Sequence, residues 1–293
     1  MYQLSIENEK GQKLELTNRS DFYITSIDGL EPPNATINHS TVANYDGSTY
    51  NSAHIDNRDI TIYLKVNTDC EKVRNLIYKY AIVKKKLKIY FVNGIRNVYI
   101  EGIVDGLPIE YFVKKQIIAI NIKCLEPFWK AKVDLLYEFS NIVNNLHFPL
   151  ELEEVGEPFS ILAPVIVANI PNSGDVETGC IFKYRAIGKV INPKLYNLET
   201  NDYILLNFTM ESRDQIIINT SSKQKSVTLL RNGELINIFN YVDRSSSWLT
   251  LQPGINALTY VADDDPLSED ENNNNTGKNL IVSMIVSNKY LGV

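Results

Sequence analysis

The residues able to do chemistry in this chain are few and far apart. Histidines stand at 39, 54 and 147, and cysteines at 70, 124 and 180. A zinc site needs ligands at short spacing, as in H-x-x-x-H or C-x-x-C, so that one turn of chain presents them together. None of the six has such a neighbour. A cysteine nucleophile needs a base beside it in space. Each cysteine here sits in or beside an apolar strand or helix pattern, which reads as a buried structural thiol. Glycoside hydrolysis needs two carboxylates across a cleft. Glu151, Glu153 and Glu154 offer acids, but acids clustered in a connecting segment read as solvated. Asp263, Asp264 and Asp265 offer calcium ligands, yet adjacent side chains alternate sides on an extended chain and no EF-hand spacing follows. Neither G-x-S-x-G nor a glycine-rich phosphate loop occurs. These absences lower the odds of catalysis and point to no metal and no cofactor.

Composition agrees with a folded, binding-type protein. The chain has 293 residues, 44% of them hydrophobic and 22% charged, enough for two domains with buried cores. The net charge is −6. Residues 1–125 hold 16 Lys+Arg and 14 Asp+Glu, a net of +2; the remainder holds 13 and 21, a net of −8. Neither part has the clustered Lys/Arg of a protein held by nucleic-acid phosphates. No apolar run approaches the ~18 residues of a membrane span. The start, MYQLSIENEKG, alternates apolar and polar residues and lacks the layout of a secretory signal. Three cysteines, odd in number and far apart, suit a reducing cytoplasm better than a disulfide framework.

The elements that must position these residues are mainly strands. Ile60, Ile62, Leu64 and Val66 fall on one face at period two. So do Leu87, Ile89 and Phe91, and again Ile118, Ile120, Ile122 and Cys124. Asn or Asp followed by Gly marks tight turns at 28–29, 46–47, 93–94, 105–106 and 232–233. One helix is predicted after a Thr68-x-x-Glu71 capping box, with Val73, Leu76, Ile77 and Tyr80 on one face and Lys84, Lys85 and Lys86 at its C-terminal end. The expected division is a strand-rich domain over 1–130, a linker over 131–160 and a second all-β domain over 161–293 running in short strands to the last residue. Residues 263–277, acidic and Asn-rich, read as a loop between the last two strands. The stretch 31–58 shows little strand pattern before Asp59 and reads as a long loop, either interface material or ordinary surface.

Several segments, in order and over nearly the whole chain, resemble the siphophage-type distal tail protein (Dit) family of phage tail components. SIDGLEPP (26–33) carries Asp28, Gly29, Leu30 and Pro32. NYDGSTYNSAHIDNRDITIYLKV (44–66) carries Asp46, Gly47 and Arg58. YIEGIVDGLP (99–108) and CLEPFW (124–129), with Pro127, are similar to the end of that family's N-terminal domain, whose usual C-P-D-P-Y reads C-L-E-P-F here. NSGDVETG (172–179) holds Gly174 and Asp175; NPKLYNLETNDYILLN (192–207) holds Asn192 and Pro193. DQIIINT (214–220), SSWLTLQPGINALTYVA (246–262), with Pro253, Gly254 and Asn256, and the terminal IVSMIVSNKYLGV complete the likeness to its galectin-like domain.

The resemblance implies an all-β fold with one main helix: a ring-forming, strand-rich belt domain followed by a galectin-like β-sandwich. It implies a structural virion protein, not an enzyme, forming a hexameric ring between the tail tube protein and the tail tip or baseplate hub. The tape-measure protein is a further partner, DNA passes through the lumen without specific binding, and assembly takes place in the host bacterial cytoplasm. Arg58 then pairs an acid across the ring or anchors its own strand. The competing reading is a carbohydrate-binding adhesion module in the second domain. Asn192-Pro193-Lys194 echoes the H-x-N-P-R core of galectin sugar sites, but Val190 and Lys194 replace its His and Arg. In that reading Trp248 stacks on a sugar ring; in the other it packs beside Leu249 and Leu251.

Overall fold

The computed structural model describes residues 2–41, 43–44, 46–111, 113, 115–144, 160–164, 167–263 and 279–293. The chain forms two compact units, Met1–Lys132 with Lys289–Val293, and Val133–Asn288. No helix among the described residues is long and apolar enough to cross a membrane.

In the first unit, β1 (Gln3–Asn8), β2 (Lys13–Glu15), β3 (Phe22–Asp28), β4 (Ala35–Ser40), β5 (Thr49–Ile55) and β6 (Arg58–Val66) precede the helix α1 (Cys70–Tyr80). After it come β7 (Lys86–Val92), β8 (Asn97–Gly106), β9 (Ile117–Cys124) and β10 (Trp129–Ala131). An antiparallel sheet runs β2-β1-β7-β8-β9-β6-β3, with β10 added on β8. The register places Ile60 opposite Ile122, Ile62 opposite Ile120 and Leu64 opposite Ile118, and all six are buried. Each such side chain contributes about 1.5–3 kcal/mol by leaving water. Helix α1 lays Val73 and Ile77 into the same core, with Leu76 and Tyr80 half-buried beside them.

Two local expectations are corrected. The helix cap is Asp69, whose carboxylate accepts from the N–H groups of Glu71 (3.1 Å) and Lys72 (3.3 Å). The Thr68 hydroxyl instead donates to the Asp21 carbonyl at 3.4 Å. A carboxylate both satisfies orphan N–H groups and meets the positive end of the helix dipole, so it displaces the neighbouring threonine. The helix also ends earlier, at Tyr80, and Lys79 is the cation of its last turn. Lys84 adopts φ 68° and Lys86 opens β7, so the run 84–86 belongs to a turn and a strand. That turn is fixed by the Lys84 N–H to the Val104 carbonyl at 2.9 Å, a long-range bond that helix patterning does not register.

The second unit contains β11 (Leu135–Glu138), β12 (Ser140–Asn144), β13 (Ser160–Pro164), β14 (Ala168–Asn172), β15 (Thr178–Ala186), β16 (Val190–Asn197) and β17 (Tyr203–Leu205). It continues with β18 (Thr209–Met210), β19 (Gln215–Asn219), β20 (Ser226–Arg231), β21 (Glu234–Asn237), β22 (Thr250–Leu251), β23 (Gly254–Asp263) and β24 (Leu280–Val286). One sheet runs β11-β24-β15-β19-β20-β21, with β22 on β15; another runs β14-β23-β16-β17, with β18 on β16. Phe182, Ile216, Ile218 and Met284 from the first share one core with Ile170, Leu195, Ile204 and Leu258 from the second. The result is a sandwich. The all-β reading with one main helix therefore holds.

The sequence pattern implies a linker over 131–160 and strands of the second domain to the last residue. The structure differs at both points. β11 pairs β24, Leu136 opposite Ile285, so strand structure begins within the supposed linker. β25 (Lys289–Tyr290) pairs β10, with Tyr290 opposite Trp129, and so belongs to the first unit. Period two shows that a strand has a buried face; it does not say which sheet supplies the partner. His147, Glu151, Glu153, Glu154 and the acidic stretch beyond Asp263 lie outside the described residues.

Within the sandwich, Asp214 is buried and accepts from Arg231 Nε at 2.9 Å and from the Glu211 N–H at 2.8 Å. The Arg231 hydrogen bond holds its carboxyl below the usual aspartate value, against the opposing effect of burial. A depressed folded-state value means stability that is present above the unfolded value and lost as pH falls through the folded one. Asp214→Asn is therefore expected to cost about 2 kcal/mol at pH 7. The gap to the parent should close progressively below about pH 4. Urea unfolding of both proteins across pH 3–7 checks this; a gap independent of pH would refute it.

Candidate assembly site

β4 and β5 form a two-stranded arm outside both cores, where sequence reading expected a loop. They pair antiparallel, Ala35 opposite Ile55 through Ser40 opposite Thr49, with a bulge after Asn38. Every residue of both strands is exposed except the half-buried Ile55. Ile37 and Tyr50 stand 60% and 65% exposed. The arm is held together by polar side chains: Thr36 Oγ1 to Asp56 Oδ2 at 2.5 Å, His54 Nε2 to Asp56 Oδ1 at 3.2 Å, and Asn38 Nδ2 to Ser52 Oγ at 3.1 Å. Because neither face is buried, neither carries the apolar alternation that announces a strand, which is why 31–58 reads as a loop. Asp46 and Gly47 lie between the strands, Gly47 at φ 92°.

The root of the arm is one buried cation. Arg58 is 3% exposed, at the point where the chain returns from β5 into β6. Its Nε donates to the Pro127 carbonyl at 2.6 Å, and its Nη1 to the carbonyls of Gly29 (2.7 Å) and Glu31 (2.9 Å). Its Nη2 donates to the Leu291 carbonyl. A planar fork of donors is what such convergent acceptors require. Burial pulls the guanidinium below its usual pKa, and no carboxylate ion pair to it is found among the described residues. The ring of carbonyl dipoles thus takes the place of a counter-ion. Gly29, at φ 88°, could not be another residue: a Cβ there would lie 2.2 Å from the Asp59 carbonyl oxygen.

The last residues complete the root. The Val293 N–H donates to the Leu30 carbonyl at 3.2 Å. The Arg96 guanidinium lies 4.5 Å from the Tyr290 ring centroid and donates to the Gly292 carbonyl. Glu126 bridges Lys130 (2.6 Å) and Lys289 (2.9 Å). Gly29, Leu30, Arg58 and Pro127, spread over a hundred residues of sequence, thus meet in one joint, with Pro32 packed beside Gly292, while Asp28 ends β3 opposite Thr61. Leu291 and Gly292 also take part, and sequence reading missed them because they act through backbone carbonyls, which every residue type has.

The remaining motif residues serve turns of the second unit. Asn172, buried, donates from Nδ2 to the carbonyls of Val176 and Leu251, both at 3.0 Å, and its Oδ1 accepts from the Gly174 N–H at 2.9 Å, shaping the turn that also holds Asp175. Asn256, buried, accepts from the Gln252 N–H at 2.9 Å and donates to the Gln252 carbonyl at 2.8 Å, closing the turn through Pro253 and Gly254, the latter at φ 103°. Asn192 takes φ 49° at a bulge of β16 and donates to Asp263 at 2.7 Å; the Pro193 carbonyl accepts from the Leu206 N–H at 3.1 Å. Lys194 lies over the rings of Tyr196 (4.3 Å) and Tyr203 (3.8 Å). Trp248 packs against the core, its ring stacked on Phe239 at 5.5 Å with Lys225 at 5.3 Å. Cys124 and Cys180 are buried, and burial pushes both thiols up to about 12; Cys70 is half-buried. No cluster of metal-binding side chains occurs among the described residues.

Comparison with known proteins follows the same lines. Residues 173–268 match the SPP1 Dit family, described as siphovirus-type tail component, C-terminal domain. No curated protein matches the chain in sequence. Among solved structures, the Dit (gp 19.1) protein of phage SPP1, described as a paradigm of the hub adsorption apparatus in phages infecting Gram-positive bacteria, superposes with a TM-score of 0.69 at 11% identity, over 98% of each chain. A chain of the phage P2 baseplate in its activated conformation superposes with a TM-score of 0.52 at 10% identity, over 100% of each chain. Residues 173–268 are thus similar to the C-terminal domain of siphovirus-type tail components, and over nearly its whole length the chain has the fold of the SPP1 Dit protein.

Proposed function

We propose that this chain is the ring subunit of the distal tail: six copies close head to tail and join the tail tube to the tip or baseplate hub. The observation that carries this reading is the arm. An isolated two-stranded hairpin is at best marginally stable in water, yet here one projects with both faces exposed from a root built around a buried arginine. Such a construction is suited to lie on a neighbour, which would supply the missing packing.

Two further features support it. The first-unit sheet ends in β2 on one side and β3 on the other, two different strands, as a head-to-tail contact around a closing rotation requires. Its two strand ends are chemically unlike. Gln3 pairs Val92 at one end, where Tyr2 and Ile95 stand 70% and 93% exposed. Asn8 pairs Leu87 at the other, where Glu9, Lys85 and Lys86 gather, with Glu9 and Lys85 3.5 Å apart. A ring stacked between a tube and a hub needs two different faces. The near-neutral charge of residues 1–125 suits a lumen that DNA and the tape-measure protein traverse without lasting phosphate contacts. In this role the protein is a virion component put together in the host cytoplasm, with no reaction of its own. Electron-microscopic imaging of assembled particles tests the reading: a six-fold ring of this chain at the tube-to-tip junction is expected, and five-fold or absent rotational order contradicts it.

A further inference from the structure

Between β10 and its partner strand β25, the whole of Val133–Asn288 is inserted in sequence. The first unit therefore receives residues 289–293 only after another domain has intervened. This strap is short, yet its ties are many. Lys289 and Tyr290 pair with Lys130 and Trp129. Glu126 joins the two facing cations, 2.9 Å from Lys289 and 2.6 Å from Lys130. The carbonyls of Leu291 and Gly292 accept from Arg58 and Arg96, and the Val293 N–H donates to the Leu30 carbonyl.

These ties fall unequally on the two limbs of the arm. The returning limb runs directly into β6, where Arg58 faces Cys124 and Asp59 faces Lys123 within the sheet. The outgoing limb leaves the sheet at Asp28, opposite Thr61. Beyond that point Arg58 holds the carbonyls of Gly29 and Glu31, and the strap holds the rest. A Cβ on Gly292 would stand 3.0 Å from Pro32 Cδ and 3.1 Å from the Leu30 carbonyl oxygen, so the strap lies directly on this limb. Removing it takes away the Leu30 and Pro32 contacts, together with one of the four acceptors that fix Arg58.

Delivery of the strap depends on the second unit. The first and last strands of that unit are neighbours: β11 pairs β24, Leu135 opposite Val286. While the unit is unfolded, about 150 residues of loose chain separate the strap from β10; once β11 and β24 pair, about ten do, and the probability of closure rises roughly fiftyfold.

We infer that residues 289–293 are a strap that locks the outgoing limb of the arm only when the second unit has folded. During synthesis the N-terminal part of a chain emerges and folds first. The arm then stays loosely rooted until β25 arrives. The inference rests on the arm being the element that meets a neighbour. It adds that a chain whose second unit is missing or misfolded is withheld from the ring.

Hydrogen exchange followed by mass spectrometry on the unassembled chain tests the strap, whether or not the arm touches a neighbour. In a chain ended after Asn288, the amides of β4 and β5 are expected to exchange roughly tenfold faster than in the parent, because the hydrogen bonds that root them are lost. Those of β6 and β9 should stay within about twofold. Gly292→Val, in the full chain, leaves the Glu126 bridge in place but pushes on Leu30 and Pro32, and should move the same amides in the same direction. Ile218→Asp puts a charge into the core of the second unit and is expected to unfold it with residues 289–293 unchanged. The arm should again exchange faster while β6 and β9 do not. Arm amides that keep the parent's rate in either of the first two variants overturn the strap. A rise shared equally by β6 and β9 overturns it too, since residues 289–293 would then be an ordinary part of the core. A slow arm beside an unfolded second unit in Ile218→Asp overturns the dependence on folding. Imaging of the ring judges the assembly reading separately.

Discussion

Replacing Arg58 by alanine is expected to destabilise the first unit by about 4 kcal/mol, near the upper end for a single substitution. The reason is the number of groups left behind. The carbonyls of Gly29, Glu31, Pro127 and Leu291 all converge on this side chain. Each buried acceptor stranded without a donor costs about 1–3 kcal/mol, less whatever water can recover by entering the space. Arg58→Lys should recover less than half of the loss, because one ammonium cannot present donors in four directions within a plane. Thermal unfolding followed by calorimetry is the measurement. For a unit of this size the alanine variant should melt roughly 10–15 °C lower. A shift of a degree or two would mean that the four bonds are replaced by water without penalty. The arm should also become more sensitive to protease than β6, because its root has lost the tie between its two ends.

Excising the arm should have the opposite signature. Replacing residues 34–56 by a short glycine-serine link removes two strands that neither hydrophobic core includes. Stability of the first unit should change by less than about 1 kcal/mol, since exposed residues away from special features contribute little. Ring formation, in contrast, should fall from complete to undetectable in particles assembled with this variant. The pairing of results carries the test: a variant that melts like its parent and yet assembles normally would remove the arm from the interface. Two changes in adjoining stretches of the chain thus separate what holds the subunit together from what the subunit is for.

The alternation of Ile60, Ile62, Leu64 and Val66, and of Ile118, Ile120 and Ile122, determined strands and their buried faces from sequence alone, because burying one side of a pleated strand forces period two. The arm escaped notice because a strand exposed on both faces has no such constraint on its residue types. The acceptors around Arg58 escaped for a related reason: backbone carbonyls leave no mark in a sequence, so only the folded chain reveals that Gly29, Pro127 and Leu291 meet on one side chain. The return of β25 to β10, which places the last residues in the first unit, was decided by which strands become neighbours. That choice depends on long-range packing of whole sheets, which local pattern does not contain.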